Sequence, residues 1–314
     1  MKRDLFAAAG FLLFGALCVQ PIHAQSPPPS GNCDRQCLYG FLDQYLKALA
    51  ANDASRLPWA KNVKYSENNV LLEPGDGIWG TLTAVGPYDL RAADTLNGQV
   101  GFYGVLQETK DWSPFALRLK IEDGKIAEAE TIVSRNGEGV FPPNPNMVEK
   151  PIFNEIVPPE LRRPRERMIS IADGYFNTLE LNDGTLFAPF DPACDRSENG
   201  VVMTHNPAAT TPNGKLSCGE QFELGYYRWD DRLRARRYFL VDEEKGLVMA
   251  GGFIDHRGRL GSYKLADGRT VESSIRKPHS FCFLELFKIR DGKIRQVESV
   301  FFSVPYNMPS PWVP

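Results

Sequence analysis

The chain repeats a domain-sized pattern, and this repetition limits the possible folds more than any other feature. Tyr45 to Asp53 reappears in altered form as Tyr175 to Asp183, 130 residues later, and both segments end in Asn-Asp. Further matches follow in the same order at growing offsets: Ser66-Glu67-Asn68 with Ser197-Glu198-Asn199, Asp94 and Gly98 with Asp242 and Gly246, and Asp123 to Ile126 and Glu130 with Asp291 to Ile294 and Glu298. Because solenoid units span only about 20 to 50 residues, this spacing predicts two copies of one domain, the second with two insertions.

The N-terminus predicts a secretory signal peptide. Two basic residues precede an apolar stretch from Leu5 to Val19, and Ala24 is a small residue before a possible cleavage point. We therefore expect residues 1–24 to be removed, residues 25–32 to form a flexible tether, and the mature protein to be periplasmic or secreted. A lipid-modified Cys18 is the alternative. No later stretch has the roughly 18 apolar residues of a membrane helix, so no membrane contact is expected after cleavage.

The charge of the chain also limits its possible functions. The chain has 36 basic and 39 acidic residues and a formal net charge of −3, without long runs of one sign. This balance lacks the basic footprint of proteins that bind nucleic acid or an anionic membrane. The densest basic cluster, Arg232 to Arg237, is bracketed by Asp230 and Asp242. We interpret it as a solvated or salt-bridged helix-to-strand segment, with an anion site as the alternative.

Cysteines indicate an oxidising compartment. Cys194 and Cys218 flank a polar, turn-rich segment, and a disulfide between them would order it. Cys33 and Cys37 are close enough to form a second disulfide if the first lies outside helical geometry. Cys282 lies in an apolar run and is expected to be a free, buried thiol. A metal site at Cys33 and Cys37 is the alternative, but a second ligand pair at a recognisable spacing is missing, so we expect no metal.

Domain boundaries follow from the repeat and from proline content. Seven prolines lie within residues 136–165, which excludes a long helix or a central strand there and predicts an extended connector. The expected divisions are domain 1 at 33–135, the connector at 136–165, domain 2 at 166–304 with insertions at 201–218 and 257–280, and a C-terminal tail at 305–314. The tail is expected to fold back over domain 2 and so to cover Trp312.

Apolar spacing predicts the elements of each copy. Apolar residues recur at steps of three and four from Leu38 to Leu49 and again from Met168 to Leu179, which predicts an amphipathic helix at the start of each copy. Later apolar runs separated by turn signals predict strands, and Asp123-Gly124 is typical of a hairpin. Ala266 to Arg269 predicts an additional hairpin in the second insertion. Helix first and antiparallel strands last make each copy an α+β unit.

This combination of a long helix, an Asn-Asp turn, a strand ending in Glu-Asn and a closing Asp-Gly-Lys-Ile hairpin resembles the NTF2-like or SnoaL-like superfamily, here as two tandem copies. Cys194 to Gly200, Cys218 to Phe222 and Arg236 to Val248 also resemble a group of secreted two-copy proteins of bacteria and fungi. The resemblance implies cystatin-like cones, each a curved antiparallel sheet wrapped around helices with a pocket at its open end. Members include isomerases, dehydratases, epoxide hydrolases, cyclases, lyases and ligand binders, so the resemblance implies a pocket without defining a reaction.

Histidines are the first candidates for proton transfer, because their ordinary pKa lies near neutrality. His205, His256 and His279 all lie in the second copy. We expect His279 or His205 to take or deliver a proton, and Tyr227 or Arg237 to stabilise developing negative charge. A surface or structural role is the alternative for each histidine.

Aromatic and acidic residues complete the candidate site. Tyr226, Phe222 and Trp229 are expected to line a pocket for a ring-bearing ligand, although such residues also form ordinary cores. Glu198 is a further candidate for substrate binding. Because Glu67 occupies the equivalent place in the first copy, a structural role in the fold is the favoured alternative. Glu130 and Glu298 form a second matched pair of this kind.

The sequence thus predicts a cofactor-independent lyase, dehydratase or isomerase that acts on a small, apolar, ring-containing molecule in the pocket of the second copy. Motifs of serine hydrolases, phosphate-binding loops, zinc proteases and dinucleotide-binding domains are absent from the sequence. The expected partner is a small-molecule ligand or substrate, and no nucleic acid or cofactor is expected. Two alternatives remain open: a secreted, non-catalytic binding protein and a structural platform for interactions. The oligomeric state also remains open.

Overall fold

A computed structural model describes residues 33–139 and 141–313. The predicted signal peptide, the tether and Cys18 lie outside the described residues. The fold is mixed α+β, with two curved six-stranded sheets and three α-helices in the described part of the chain. The prediction of an α+β chain is therefore confirmed.

The first unit consists of one helix and one sheet in the order β2-β1-β6-β5-β4-β3. Strands β1 and β6 pair in parallel, and all other neighbours are antiparallel. The elements are α1 (Arg35–Ala50), β1 (Trp59–Glu67), β2 (Val70–Leu72), β3 (Leu82–Asp94), β4 (Gln99–Glu108), β5 (Asp111–Glu122) and β6 (Lys125–Val133). Strands β2 and β3 were not predicted from the apolar pattern.

The second unit has the same plan, with the order β8-β7-β14-β13-β10-β9 and one parallel pair, β7 with β14. Its elements are α2 (Arg165–Leu181), β7 (Phe190–Glu198), β8 (Val201–Val202), α3 (Cys218–Glu223), β9 (Arg232–Asp242), β10 (Leu247–His256), β11 (Ser262–Lys264), β12 (Thr270–Glu272), β13 (His279–Arg290) and β14 (Lys293–Val304). Strands β11 and β12 form the additional hairpin predicted around Asp267. The basic cluster from Arg232 to Arg237 lies on a strand and contains no helix.

Helices α1 and α2 bury one face each against the inner face of their sheet. Asp34 accepts a hydrogen bond from the backbone N–H of Cys37 (2.8 Å) and thereby caps the start of α1. Asn182 ends α2 in the left-handed conformation (φ 38°), which asparagine tolerates better than most residues. The apolar stripes predicted for both helices include the buried residues Tyr45 and Tyr175.

The matched Glu-Asn segments perform the same local task in both sheets. Asn199 has φ 49°, accepts a hydrogen bond from the backbone N–H of Phe301 (2.9 Å) and donates one to its carbonyl (3.1 Å). Asn68 has φ 48° and makes the same two contacts with Val133. In each sheet, the asparagine side chain therefore bonds to the backbone of the last strand (β6 or β14) at the point where the first strand (β1 or β7) ends.

The outer faces of the two sheets pack against each other and form a third apolar core between the two inner ones. Tyr103 and Leu90 of the first sheet, and Met249 and Leu284 of the second, belong to this core and are at most 4 % exposed. The approach is close, because a Cβ atom on Gly101 would lie 2.5 Å from Sδ of Met249. The central strands are consequently buried on both faces.

Two reciprocal ion pairs connect the units. Arg165, at the start of α2, makes a two-pronged contact with Asp94 of the first sheet (2.8 Å for both hydrogen bonds). Arg35, at the start of α1, makes the corresponding contact with Asp242 of the second sheet. Both aspartates are 1 % exposed, and both belong to the matched positions of the sequence repeat.

The tail contacts the second unit, over which the sequence predicts it to fold, and it also contacts the first unit. Trp312 donates a hydrogen bond from its indole N–H to Oγ of Ser66 (3.1 Å). The charged groups of Lys64 and Arg118 each lie 4.7 Å from the Trp312 ring centre. Cation–π contacts with basic side chains of the first sheet therefore help to hold the tail against the first unit.

Replacement of Asp94 tests the ion pair between the units. We expect Asp94→Asn to lower the free energy of unfolding by about 2 to 3 kcal/mol, because Arg165 then loses its buried counter-charge. Urea unfolding measures this change. The control is Glu122→Gln, which removes an exposed pair with Lys120 and should cost less than about 0.5 kcal/mol. Equal unfolding midpoints for Asp94→Asn and wild type would contradict the assigned role.

Candidate functional site

A cavity of about 380 Å³ lies on the inner face of the second sheet. Its walls are mainly aromatic and apolar, and its polar side chains cluster on β7, β13 and the turn after α3. The residues that line it and are used below are Tyr175, Arg196, Glu198, Tyr226, Tyr227, Trp229, Asp230, Phe281, Glu285, Ser299 and Phe301, together with Phe141 from the connector. This volume is suited to a small organic molecule.

The disulfide between Cys194 and Cys218 helps to build one wall. Cys194, Arg196 and Glu198 alternate along β7, so all three side chains point to the inner face. Cys218 begins α3 and places Gln221, one helical turn later, beside β7. The predicted disulfides, 194 with 218 and 33 with 37, are both present, and Cys282 is a free, buried thiol as predicted. Two disulfides are typical of a protein in an oxidising compartment.

Arg196 is the buried centre of the polar cluster. It is 1 % exposed and donates hydrogen bonds to Oε1 of Gln221 (3.0 Å) and to the hydroxyl of Tyr227. Its guanidinium lies 4.6 Å from the Tyr227 ring centre and 5.1 Å from that of Phe222. Burial alone would lower the pKa of Arg196, but Tyr227, Tyr175 and Glu198 raise it, so the guanidinium stays charged.

Two glutamates lie in one row across the sheet. Ser299 of β14 is the Cα partner of both Glu198 and Glu285, on its two sides, and all three line the cavity. Nε of Arg196 is 3.2 Å from the Glu198 carboxylate, which keeps 26 % of its side chain exposed. The two glutamate Cα atoms are about 10 Å apart, two strand spacings.

Both glutamates hold protons more strongly than usual. Burial raises the pKa of Glu285 to about 8, and the nearby charge of Glu198 adds to this effect. Burial also raises the pKa of Glu198, although Arg196 opposes the increase. Perturbed carboxyl groups inside a cavity are typical of sites of proton transfer.

A third acid group, Asp230, lies at the end of the aromatic turn. Its carboxylate is 2.8 Å from Nε2 of His256, which is fully buried. Burial raises the pKa of Asp230, and the His256 contact opposes this. The turn itself is positioned by Asn182, whose side chain accepts a hydrogen bond from the backbone N–H of Tyr227 (2.8 Å).

Several predicted site residues do meet at this cavity. Tyr226, Tyr227, Trp229 and Glu198 line it, and Phe222 packs behind Tyr227 with ring centres 5.9 Å apart. The ring centres of Tyr226 and Trp229 are 5.2 Å apart in an edge-to-face arrangement. The aromatic turn is braced by the additional hairpin, because the hydroxyl of Tyr263 donates to the backbone carbonyl of Tyr226.

Other predicted residues lie elsewhere, so our expectation that a histidine and Arg237 face this cavity is corrected. His205 is on the surface, where it contacts Asp195 (2.7 Å). His279 stacks on His256, with ring centres 4.6 Å apart, at the strand ends beside the cavity. Arg237 points to the outer face and pairs with Glu130 between the two sheets (2.6 Å). Strand alternation explains this last placement, because Arg237 lies on the face opposite to Tyr238.

The first sheet has different residues at the equivalent positions. Tyr65 and Leu117 occupy the register positions of Arg196 and Glu285, respectively. The inner face there is filled by an aromatic cluster around Trp79, which is 1 % exposed. A more open groove of about 400 Å³ lies between the first unit and the end of β14 with the start of the tail, and it contains Glu67 and Arg135. Glu67 has a structural role, since it accepts a hydrogen bond from the backbone N–H of Ile78 (2.7 Å).

Sequence reasoning missed Arg196, Glu285 and Asp230 as site residues. The repeat contained a signal for two of them: at offsets of 131 and 168, charged residues replace Tyr65 and Leu117 of the first copy. Across 33–139 and 141–313, the structure has no cluster of three metal-ligating side chains. Among the described helices, none is long and apolar enough to cross a membrane.

One family model is similar to part of the second half of the chain. Residues 161–301 are similar to a family described as "Domain of unknown function (DUF8021)". A search of curated proteins finds no match. Similar solved structures include a de novo designed protein with a curved β-sheet, at 12 % identity and a TM-score of 0.27, which covers 32 % of this chain and 88 % of that one.

Two natural proteins are similar at the same level. A protein from Sphaerobacter thermophilus has 14 % identity and a TM-score of 0.25, and the match covers 31 % of this chain and 94 % of that one. A protein from Kribbella flavida described as a "putative ketosteroid isomerase" has 16 % identity and a TM-score of 0.25, and the match covers 40 % of this chain and 93 % of that one. With TM-scores this low, these similarities support no assignment of function.

Removal of the Cys194–Cys218 disulfide tests its part in building the cavity. We expect the double variant Cys194→Ser, Cys218→Ser to lose about 3 kcal/mol of stability, since the disulfide closes a long loop. It should also weaken binding of a fluorescent apolar probe in the cavity. The matched control, Cys33→Ser with Cys37→Ser, closes a shorter loop and should cost about 2 kcal/mol with no loss of probe binding. Equal probe binding by both double variants would contradict this role.

The raised pKa of Glu285 predicts a dependence of stability on pH. The folded state holds the Glu285 proton up to about pH 8, whereas the unfolded chain releases it near its ordinary value of about 4.3. The folded state therefore loses stability as the pH rises through this window. We expect urea midpoints to fall less between pH 5 and pH 8 in Glu285→Gln than in wild type. The same decline in both proteins would contradict the assigned pKa.

Proposed function

We propose that this chain is an exported, cofactor-independent lyase, dehydratase or isomerase built from two NTF2-like units in tandem. Its substrate is a small ring-containing molecule that enters the cavity of the second sheet. The observation that carries the proposal is the set of three carboxyl groups with raised pKa around one buried arginine in an aromatic cavity. Export is supported by the predicted signal peptide and the two disulfides.

Glu198 is the group that takes a proton from the substrate. Its carboxylate reaches the cavity, and Arg196 favours the ionised form at 3.2 Å. Because burial raises its pKa, the carboxylate is a stronger base than an exposed glutamate. Glu198 thus takes the role that we first assigned to a histidine.

Negative charge that develops on the substrate is stabilised by Arg196 and Tyr227. The two groups are hydrogen-bonded to each other and held by Gln221, so they need little rearrangement during the reaction. The aromatic walls exclude water and thereby strengthen these interactions. Arg196 takes the role that we first assigned to Arg237.

Asp230 returns a proton to the substrate. Burial raises its pKa, which favours the protonated acid that a donor requires. His256 contacts the Asp230 carboxyl from behind and fixes its orientation. Proton exchange with solvent afterwards restores the ionised Glu198 and the protonated Asp230.

Deuterium exchange tests this function without knowledge of the natural substrate. The protein is incubated in D₂O with a panel of cyclic ketones, alcohols and amines, and deuterium incorporation at carbon is followed by mass spectrometry. We expect Glu198→Gln to slow incorporation by at least about 100-fold, because the base is lost, while probe binding changes little.

Glu67→Gln is the matched control, since Glu67 holds the equivalent place in the first sheet and does not line the cavity of the second sheet. It should exchange at the wild-type rate. If wild type bound panel members but incorporated deuterium into none of them, the proposed enzymatic function would be wrong and the protein would be a non-catalytic binding protein. An unchanged rate of deuterium incorporation in Glu198→Gln would contradict the assignment of Glu198 as the base.

A further inference from the structure

Among the described residues of the cavity, charge pairing leaves one acid group, Glu285, without an ion-pair partner. Arg196 pairs with Glu198 (3.2 Å), and His256 contacts Asp230 (2.8 Å). Glu285 lines the same cavity and is 5 % exposed. Within 33–139 and 141–313, no basic side chain forms an ion pair with it. A buried carboxylate without a counter-charge is strongly unfavourable, so Glu285 must either hold a proton or receive a counter-charge from a ligand.

The fold itself does not need an acid group at this position. Leu117 occupies the same register position in the first sheet, beside Thr131 as Glu285 is beside Ser299. Leu117 is fully buried in an apolar core. The same position in the same strand order therefore accommodates an apolar side chain. The reason for a glutamate at this position must lie in the cavity of the second sheet.

The cavity walls are suited to a positive charge next to a ring. Tyr226, Trp229, Phe281 and Phe301 present aromatic surface to the cavity. Aromatic faces attract cations, and they pack well against other rings. Acid groups outnumber basic ones among the described lining residues, with Glu198, Asp230 and Glu285 against Arg196 alone.

We propose that the ligand of this cavity carries a basic nitrogen, whose ammonium group pairs with Glu285 while its ring packs against the aromatic wall. The proposal concerns the same cavity as the proposed function and specifies the class of substrate. Glu285 then anchors the molecule, and Glu198 and Asp230 remain free for proton transfer. The ligand supplies the counter-charge that the protein leaves out.

This proposal predicts that binding of the ligand releases a proton. In the empty cavity Glu285 is mostly protonated at pH 7, since its pKa is raised to about 8. An ammonium group favours the carboxylate, so binding releases about one proton. Arg196 from β7, Tyr175 from α2, and Glu198 also act on the Glu285 carboxyl and stay in place during this change.

A matched series of probes tests the charge class. Tryptamine, tryptophol and indole-3-acetate share one ring system and carry a positive, neutral and negative side chain. Isothermal titration calorimetry on the full-length mature protein measures their affinities. We expect wild type to bind tryptamine at least about tenfold more tightly than tryptophol. Repeating the tryptamine titration in two buffers of different ionisation enthalpy measures the released proton.

Two variants complete the design. Glu285→Gln keeps the shape of the side chain and removes its charge, so it should bind tryptamine and tryptophol about equally. Glu272→Gln removes an exposed glutamate outside the cavity lining, with 76 % of the side chain exposed, and should keep the preference of wild type. If Glu285→Gln fails to fold, the proton release of wild type still decides the question.

The outcomes separate this proposal from the proposed function. If wild type binds tryptophol or indole-3-acetate as tightly as tryptamine, the cationic ligand is overturned, while the proton-transfer function stands on its own exchange test. Tryptamine binding without proton release at pH 7 likewise overturns the pairing with Glu285. If none of the three probes binds, both the ligand class and the cavity as a small-molecule site are overturned.

Discussion

The rest of the structure depends on the burial of two sheet faces against each other. A curved sheet has two faces, and here the outer face of each sheet is covered mainly by the other sheet, with Phe153 of the segment between the units also buried in this core. Leu240 and Leu286 of the second unit are fully buried in this contact. Exposure of either face alone would create a large apolar patch in water. The first unit is therefore needed to cover the unit that carries the cavity, even though its own inner face is filled.

Much of the fold could be predicted from the sequence, because the informative patterns are local. Helical spacing and matched Asn-Asp turns identify α1 and α2 before any contact is known. Strand β3 was missed because Gly86 and Pro87 interrupt it, and its pairing with β4 shifts register between Val85 and Asp89. Glycine and proline inside a strand usually mark a bulge or an end. The path of the tail was also unpredictable, because it depends on contacts between Trp312 and residues about 250 positions earlier.

The candidate site was predicted only in part. The aromatic turn from Tyr226 to Trp229 was recognisable by composition. The polar centre was hidden, because Glu285 lies inside the apolar run from Phe281 to Ile289 and Arg196 inside a polar segment typical of a surface. Histidine attracts attention because of its pKa, yet His256 and His279 lie at strand ends and His205 lies in a surface loop. Comparison of the two copies at equal register identifies Arg196 and Glu285, because the first copy has Tyr65 and Leu117 at these positions.

Two differences between the sheets give the cavity of the second unit its buried charged groups. Arg196 in place of Tyr65 introduces a buried positive charge, and Glu285 in place of Leu117 introduces a buried acid group. Glu198 provides an ion-pair partner for Arg196 at 3.2 Å, whereas Glu285 has no ion-pair partner among the described residues, and an unpaired buried carboxylate is unfavourable. Present together, the arginine and the acid groups form one coupled set whose protons respond to each other. The segments 201–218 and 257–280 border this set, through Met203 on one side and Ile275 on the other, so they help to enclose its charges.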